Sequence, residues 1–262
     1  MRHLRVYRRN DMDIAFHVTE NDLEAVRRLV RENGDNPLVE IRRERNVRGE
    51  TPPLTEEGCW QAHMMCLLTT QQRSGPTSHV HRFLTTRPFP LRLAALPEAD
   101  QRKEFIQRTL QNSGGIRRNG VIADHACRNL QWFSGAGWGE LSELLESLGA
   151  VDDHLVEREV ADQVADAFHG FGPKQSRNFL QVLGLTCYEI PVDSRIVKWL
   201  RSELEFPLAL QSATLSDREH YRLISEGIRQ LCEAVGIYPC EFDAMVFSRI
   251  EGDAWADVDP AF

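Results

Sequence analysis

The chain has 262 residues, 42% hydrophobic and 27% charged, which is enough for one large or two small packed domains and too balanced for a disordered or fibrous protein. No apolar run reaches membrane-spanning length, and no signal-like core follows the opening MRHLRVYRRN, so an intracellular, cytoplasmic protein with no membrane partner is expected. The net charge of −8 weighs against strong non-specific binding to nucleic acid, but it is unevenly spread: residues 1–130 carry 21 Lys/Arg against 16 Asp/Glu, and residues 131–262 carry 10 against 23.

Thr19 or Asn21 caps a helix through about Asn33, with Leu23, Val26 and Val30 on one face and Gly34 just beyond its end. A polar, proline-bearing stretch runs on to about Pro53, where we place the boundary of an N-terminal extension, 1–53, whose arginine-rich opening segment is read as peripheral. From Thr55 the run TEEGCWQAHMMCLLTT reads as a capped helix with Trp60, Met64, Leu67 and Leu68 at core spacing. The polar corner QQRSGPTS ends it, and another helix starts near Ser78 and stops before Pro88 and Pro90. Helices follow from about Pro97 to Gln111, through HACRNLQWF, and over ELSELLESLG and HLVEREVADQVADAF. Beyond residue 193 a helix carries Ile196, Val197 and Leu200, and a loop around LEFPLALQSATLS leads to DREHYRLISEGIRQLCEAVG and YPCEFDAMVFSRIEGDAW. Strand alternation is scarce and no internal repeat is present, so the class is mostly α.

The six cysteines are spread through the chain and read as free thiols of a reducing compartment. Cys59, His63 and Cys66 have ligand-like spacing but share a helical apolar face, so a core role is expected there and no metal.

The most informative stretch is FHGFGPKQSRNFLQVLGLTCYEIPVDSRIVKWL. Gly170 and Gly172 flank one apolar residue and let the backbone bend sharply, leaving N–H groups at the start of the next helix where they can hold a phosphate. Lys174 follows at once, in a chain with only two other lysines, Lys103 and Lys198. An amine can deprotonate and attack carbon, which a guanidinium cannot. Asp193 comes nineteen positions later and also precedes a helical run, so it reads as an N-cap too.

Helix, glycine-pinched turn, positioned lysine and spaced aspartate together resemble the helix-hairpin-helix DNA glycosylases, over about Thr55 to Trp255. The compact microbial 8-oxoguanine branch fits best, since Cys187, Cys232 and Cys240 are too few to ligate the iron–sulfur cluster of the endonuclease III branch. The resemblance implies two helical subdomains with a cleft between them, a core over 54–262 and a hairpin over about 155–184. It implies a monomer acting on double-stranded DNA that carries a damaged base. Lys174 would be the nucleophile, forming a Schiff base that permits β-elimination, and Asp193 the ionised carboxylate beside it. Gly170, Gly172 and Arg195 would bind phosphate. Gln71, Gln72 and Arg73, in the corner LLTTQQRSG, would fill the space left by the extruded nucleotide or contact its surroundings. Trp138 and Phe242 are the aromatics assigned to the base pocket. No cofactor is expected beyond a monovalent cation on the hairpin carbonyls. Two departures bear on the identity of the base: Arg195 stands where many members carry a histidine, and the chain ends in Phe262 where some compact relatives place a lysine. Excision of another damaged base, or non-catalytic DNA binding, are the alternatives.

Overall fold

The structure is a computed structural model that describes residues 7–9, 12–14, 16–150 and 153–251. Trp255 and Phe262, and with them the end of the expected 54–262 core, lie outside those residues. A two-stranded antiparallel ribbon, β1 (Tyr7–Arg9) and β2 (Met12–Ile14), precedes the helices that make up the rest of the regular structure.

α1 (Glu20–Asn33) starts with a capping box in which Thr19 accepts from the Asp22 N–H while the Asp22 side chain accepts from Thr19. The proline-bearing stretch, to which the sequence assigns no element, contains α2 (Pro37–Arg42), capped by Asn36, whose Oδ1 accepts from the Leu38 N–H at 3.0 Å. An Asn-Pro pair is a helix start as well as a turn signal, because proline at the first position loses no helical hydrogen bond. α3 (Glu56–Leu68) is capped by Thr55, and Cys59, Trp60 and Ala62 to Leu68 are all buried, so it is a central rather than a surface helix. Then come α4 (His79–Leu84), α5 (Ala99–Asn112), α6 (Asn119–Trp132) and α7 (Trp138–Glu146). α8 (His154–Ala167) and α9 (Pro173–Val182) flank the glycine turn. α10 (Ser194–Glu203), the short α11 (Ser212–Leu215), α12 (Arg218–Val235) and α13 (Pro239–Glu251) complete the chain.

The helices bury two apolar clusters. One gathers Trp60, Leu68, Phe83, Ile106, Leu130, Phe133, Val164, Phe168 and Phe179 from α3 to α9. The other gathers Val26, Leu29, Val39, Ile196, Leu200, Ile224, Ile228, Phe242 and Met245 from α1, α2, α10, α12 and α13. α1 and α2, which fall inside the 1–53 stretch, thus pack into the second cluster. Cys59, His63 and Cys66 are fully buried in the first cluster, and burial pushes the Cys59 thiol up to about 12 and the His63 imidazole down to about 3.

Buried charge ties the clusters together. Arg177 of α9, wholly buried, donates to Asp162 of α8 at 2.7 Å and to Glu189 at 2.8 Å, and Arg158 joins Glu189 to Glu226 of α12. Every one of these buried ions has an opposite partner, as burial requires. The Tyr221 hydroxyl donates to Ile190 O and accepts from the Val192 N–H. The segment leading to Asp193 is therefore fastened from both sides.

Candidate active site

α8 closes with Phe168, and the chain turns through Gly170, whose φ of +86° lies in the region that favours glycine. A Cβ on Gly170 would also collide with the His125 ring. Gly172 is extended (φ −135°), a Cβ there meets nothing within 4 Å, and it is the N-cap of α9 with Pro173 next. Gly170 and Gly172 donate their N–H groups to no acceptor among the described residues. Both line a groove of about 2040 Å³ together with Lys174 and Asp193. The first lies on a helix of one apolar cluster and the second at the head of a helix of the other.

Lys174 makes no ion pair among the described residues. Burial pushes its ammonium below the ordinary lysine range, against the attraction of Asp193 and with repulsion from Arg195 adding to the fall. Asp193 caps α10: its Oδ1 accepts from the N–H groups of Arg195 at 2.8 Å and Ile196 at 3.2 Å. Its Oδ2 takes the Arg195 guanidinium, with Nε at 2.7 Å. Burial acts to raise this carboxyl, but Arg195 and Lys174 outweigh it and hold it below the usual carboxylate range. Arg195 also reaches Glu251 at 3.5 Å and lies 4.0 Å over the Phe247 ring. A residue assigned to phosphate is thus already engaged with the carboxylate.

In the same groove, Gln71 is exposed with a positive φ of 57°, strained for a non-glycine residue. Arg117 holds this corner, its N–H bonding Gln72 Oε1 at 2.9 Å and its guanidinium bonding Gln71 O at 2.8 Å. Gln72 also donates to Leu68 O, so its amide is committed inside the protein, whereas the Gln71 and Arg73 side chains face solvent at the groove. Trp138 and Phe242 are corrected: neither lines the groove. Trp138 stacks on Phe133 at 5.7 Å, and buried Phe242 meets Trp199 edge-on at 5.0 Å. Large aromatics fill cores by default, and periodicity alone does not separate that use from a pocket.

Sequence reasoning missed Arg117, Lys198 and Arg201, which also line the groove. With Arg73, Lys174 and Arg195 they make six cations facing two carboxylates, Asp193 and Glu251, so the groove is positive in a protein of net charge −8. The signal for Lys198 and Arg201 was their spacing from Ser194 along one face of α10.

No protein-family model matches the chain, and no curated protein does. Among solved structures, the 8-oxoguanine DNA glycosylase of Thermotoga maritima aligns with a TM-score of 0.60 at 18% identity, over 89% of this chain and 97% of that one. The Methanocaldococcus jannaschii 8-oxoguanine DNA glycosylase aligns with a TM-score of 0.59 at 14% identity, over 88% and 95%. The chain has their fold. No helix among the described residues is long and apolar enough to cross a membrane, and no group of three metal-ligating side chains is found among them.

Proposed function

We propose that the protein is a DNA glycosylase with lyase activity, acting on double-stranded DNA that carries a damaged base, 8-oxoguanine first among the candidates. The observation that carries this reading is the meeting of Lys174 and Asp193 in one positive groove beside a turn whose N–H groups have no acceptor among the described residues. The turn takes a backbone phosphate, and the damaged nucleotide is extruded from the stack. The Lys174 nitrogen, neutral once its proton has left, gives its lone pair to the sugar C1′, and the bond from C1′ to the base breaks with its electrons leaving on the base, which is protonated. Asp193, kept ionised, stabilises positive charge on the sugar during this step. Opening of the sugar ring gives the Schiff base. Loss of a C2′ proton then expels the 3′ phosphate, and water releases the lysine. Arg195 leaves Asp193 for a phosphate, or stays and trims the carboxylate's charge.

This chemistry needs no cofactor. A monovalent cation at the turn would find His169 O held by Asn129, Phe168 O by the Phe171 N–H and Gly172 O by Gln175 and Ser176, so we assign it no step.

Non-catalytic DNA binding is the second reading, favoured by the full engagement of both Asp193 oxygens with Arg195 and the α10 cap. Duplexes each bearing a single lesion separate the two. Release of free base and nicking from the 8-oxoguanine duplex support the glycosylase. Retained duplex affinity with no product from any lesion supports the binding protein.

A further inference from the structure

α6 carries two residues, His125 and Asn129, one helical turn apart and both in contact with the glycine turn. His125 lies against Gly170, and Asn129 grips the residue before it. The Asn129 Oδ1 accepts from the His169 N–H at 2.8 Å, and its Nδ2 donates to His169 O at 3.0 Å. Backbone donors and acceptors are unambiguous, so these two bonds fix which way the amide points. The remaining Nδ2 hydrogen then goes to His63 Nε2, 2.7 Å away, which makes that nitrogen an acceptor and puts the imidazole proton on Nδ1. Asn129 is 1% exposed and His63 wholly buried. The His63 ring stacks on Phe171 of the turn at 5.4 Å and on Trp60 at 5.1 Å.

We propose that Asn129, braced by its third hydrogen bond to neutral His63, is the positioning residue that sets the turn for phosphate binding. Asn129 occupies both polar groups of His169 and leaves the N–H groups of Gly170 and Gly172 at the groove without an acceptor among the described residues. Without it, His169 would be left with two unpaired backbone groups beside a buried ring, and the turn would relax to satisfy them. The His63 Nδ1–H has no partner among the described residues, an unmet donor that a purely apolar side chain would avoid. The inference rests on the proposed function for its DNA partner, but the geometry it invokes is independent of it.

Two measurements test it. In the wild-type protein, ring ¹⁵N shifts near neutral pH should show His63 as the Nδ1-protonated neutral tautomer; the other tautomer, or an imidazolium, overturns the inference with no variant made. Asn129→Ala should then weaken binding to an undamaged duplex about tenfold, while single-turnover base release from an 8-oxoguanine duplex at saturating enzyme changes by less than about threefold. Asn129→Asp, which cannot donate to His169 O or His63, should behave like the alanine variant. Equal duplex affinity in wild type and N129A sinks the inference and leaves the glycosylase reading standing. A wild-type protein that neither binds duplex nor releases base sinks that reading, and the inference with it.

Discussion

Lys174 and Asp193 were legible because each is scarce in its setting: one lysine at a glycine turn, and one carboxylate ahead of a helix in an IPVDSR segment. The Arg195–Asp193 pair was not legible, since residues two apart meet only when the first caps a helix and the side chain of the second folds back. Asp193→Asn separates the carboxylate's two roles. Asparagine caps as well as aspartate but gives up the ion pair with Arg195, so chemical denaturation should show a loss of about 1–3 kcal/mol. Single-turnover base release should fall about 10²- to 10³-fold, because the stabilising charge has gone. An unchanged rate would leave Asp193 a structural role and nothing more. For Lys174 the sign follows from burial: the folded protein holds the amine at a lower pKa than the unfolded chain. The folded state binds fewer protons between those two values, so stability rises with pH across that window. Nicking should rise with pH below it, as the neutral amine accumulates. Thermal melts against pH should show that slope in the wild type and lose it in Lys174→Gln.

At the scale of elements, caps and punctuation read well. Thr55 and Ser78 stand where helices begin, and the glycine turn falls between α8 and α9. What the sequence left unread was a helix starting at Asn36-Pro37, and the cluster against which α1 buries Val26 and Leu29. An amphipathic helix shows that it buries a face without showing against what. The two turn glycines, alike in sequence, differ in conformation and so in prediction. Gly170→Ala meets both a positive φ and the His125 ring, and should cost more than about 1 kcal/mol in denaturant melts. Gly172→Ala has ordinary φ and open space, so its stability should change by less than about 0.5 kcal/mol. Its duplex affinity should still drop about tenfold, because the added methyl stands where a phosphate comes close to the N–H groups.

At the scale of the molecule, net charge misleads because only two of the described acidic side chains line the groove, against six from Lys/Arg. Duplex affinity should therefore fall steeply with salt. Lys198→Gln, at a lysine with no ion pair among the described residues, should reduce the slope of log affinity against log salt by about 0.9 if it meets one phosphate. An unchanged slope would take α10 off the DNA track. The central claim is that Lys174 becomes covalently joined to the sugar in the groove it shares with Asp193. Borohydride capture on an 8-oxoguanine duplex tests it most directly. Wild-type protein should yield one stable protein–DNA adduct that maps to Lys174, and Lys174→Gln, still folded and still binding duplex, should yield none. An adduct of equal yield in that variant, or none from wild-type protein that demonstrably releases the base, would contradict the account.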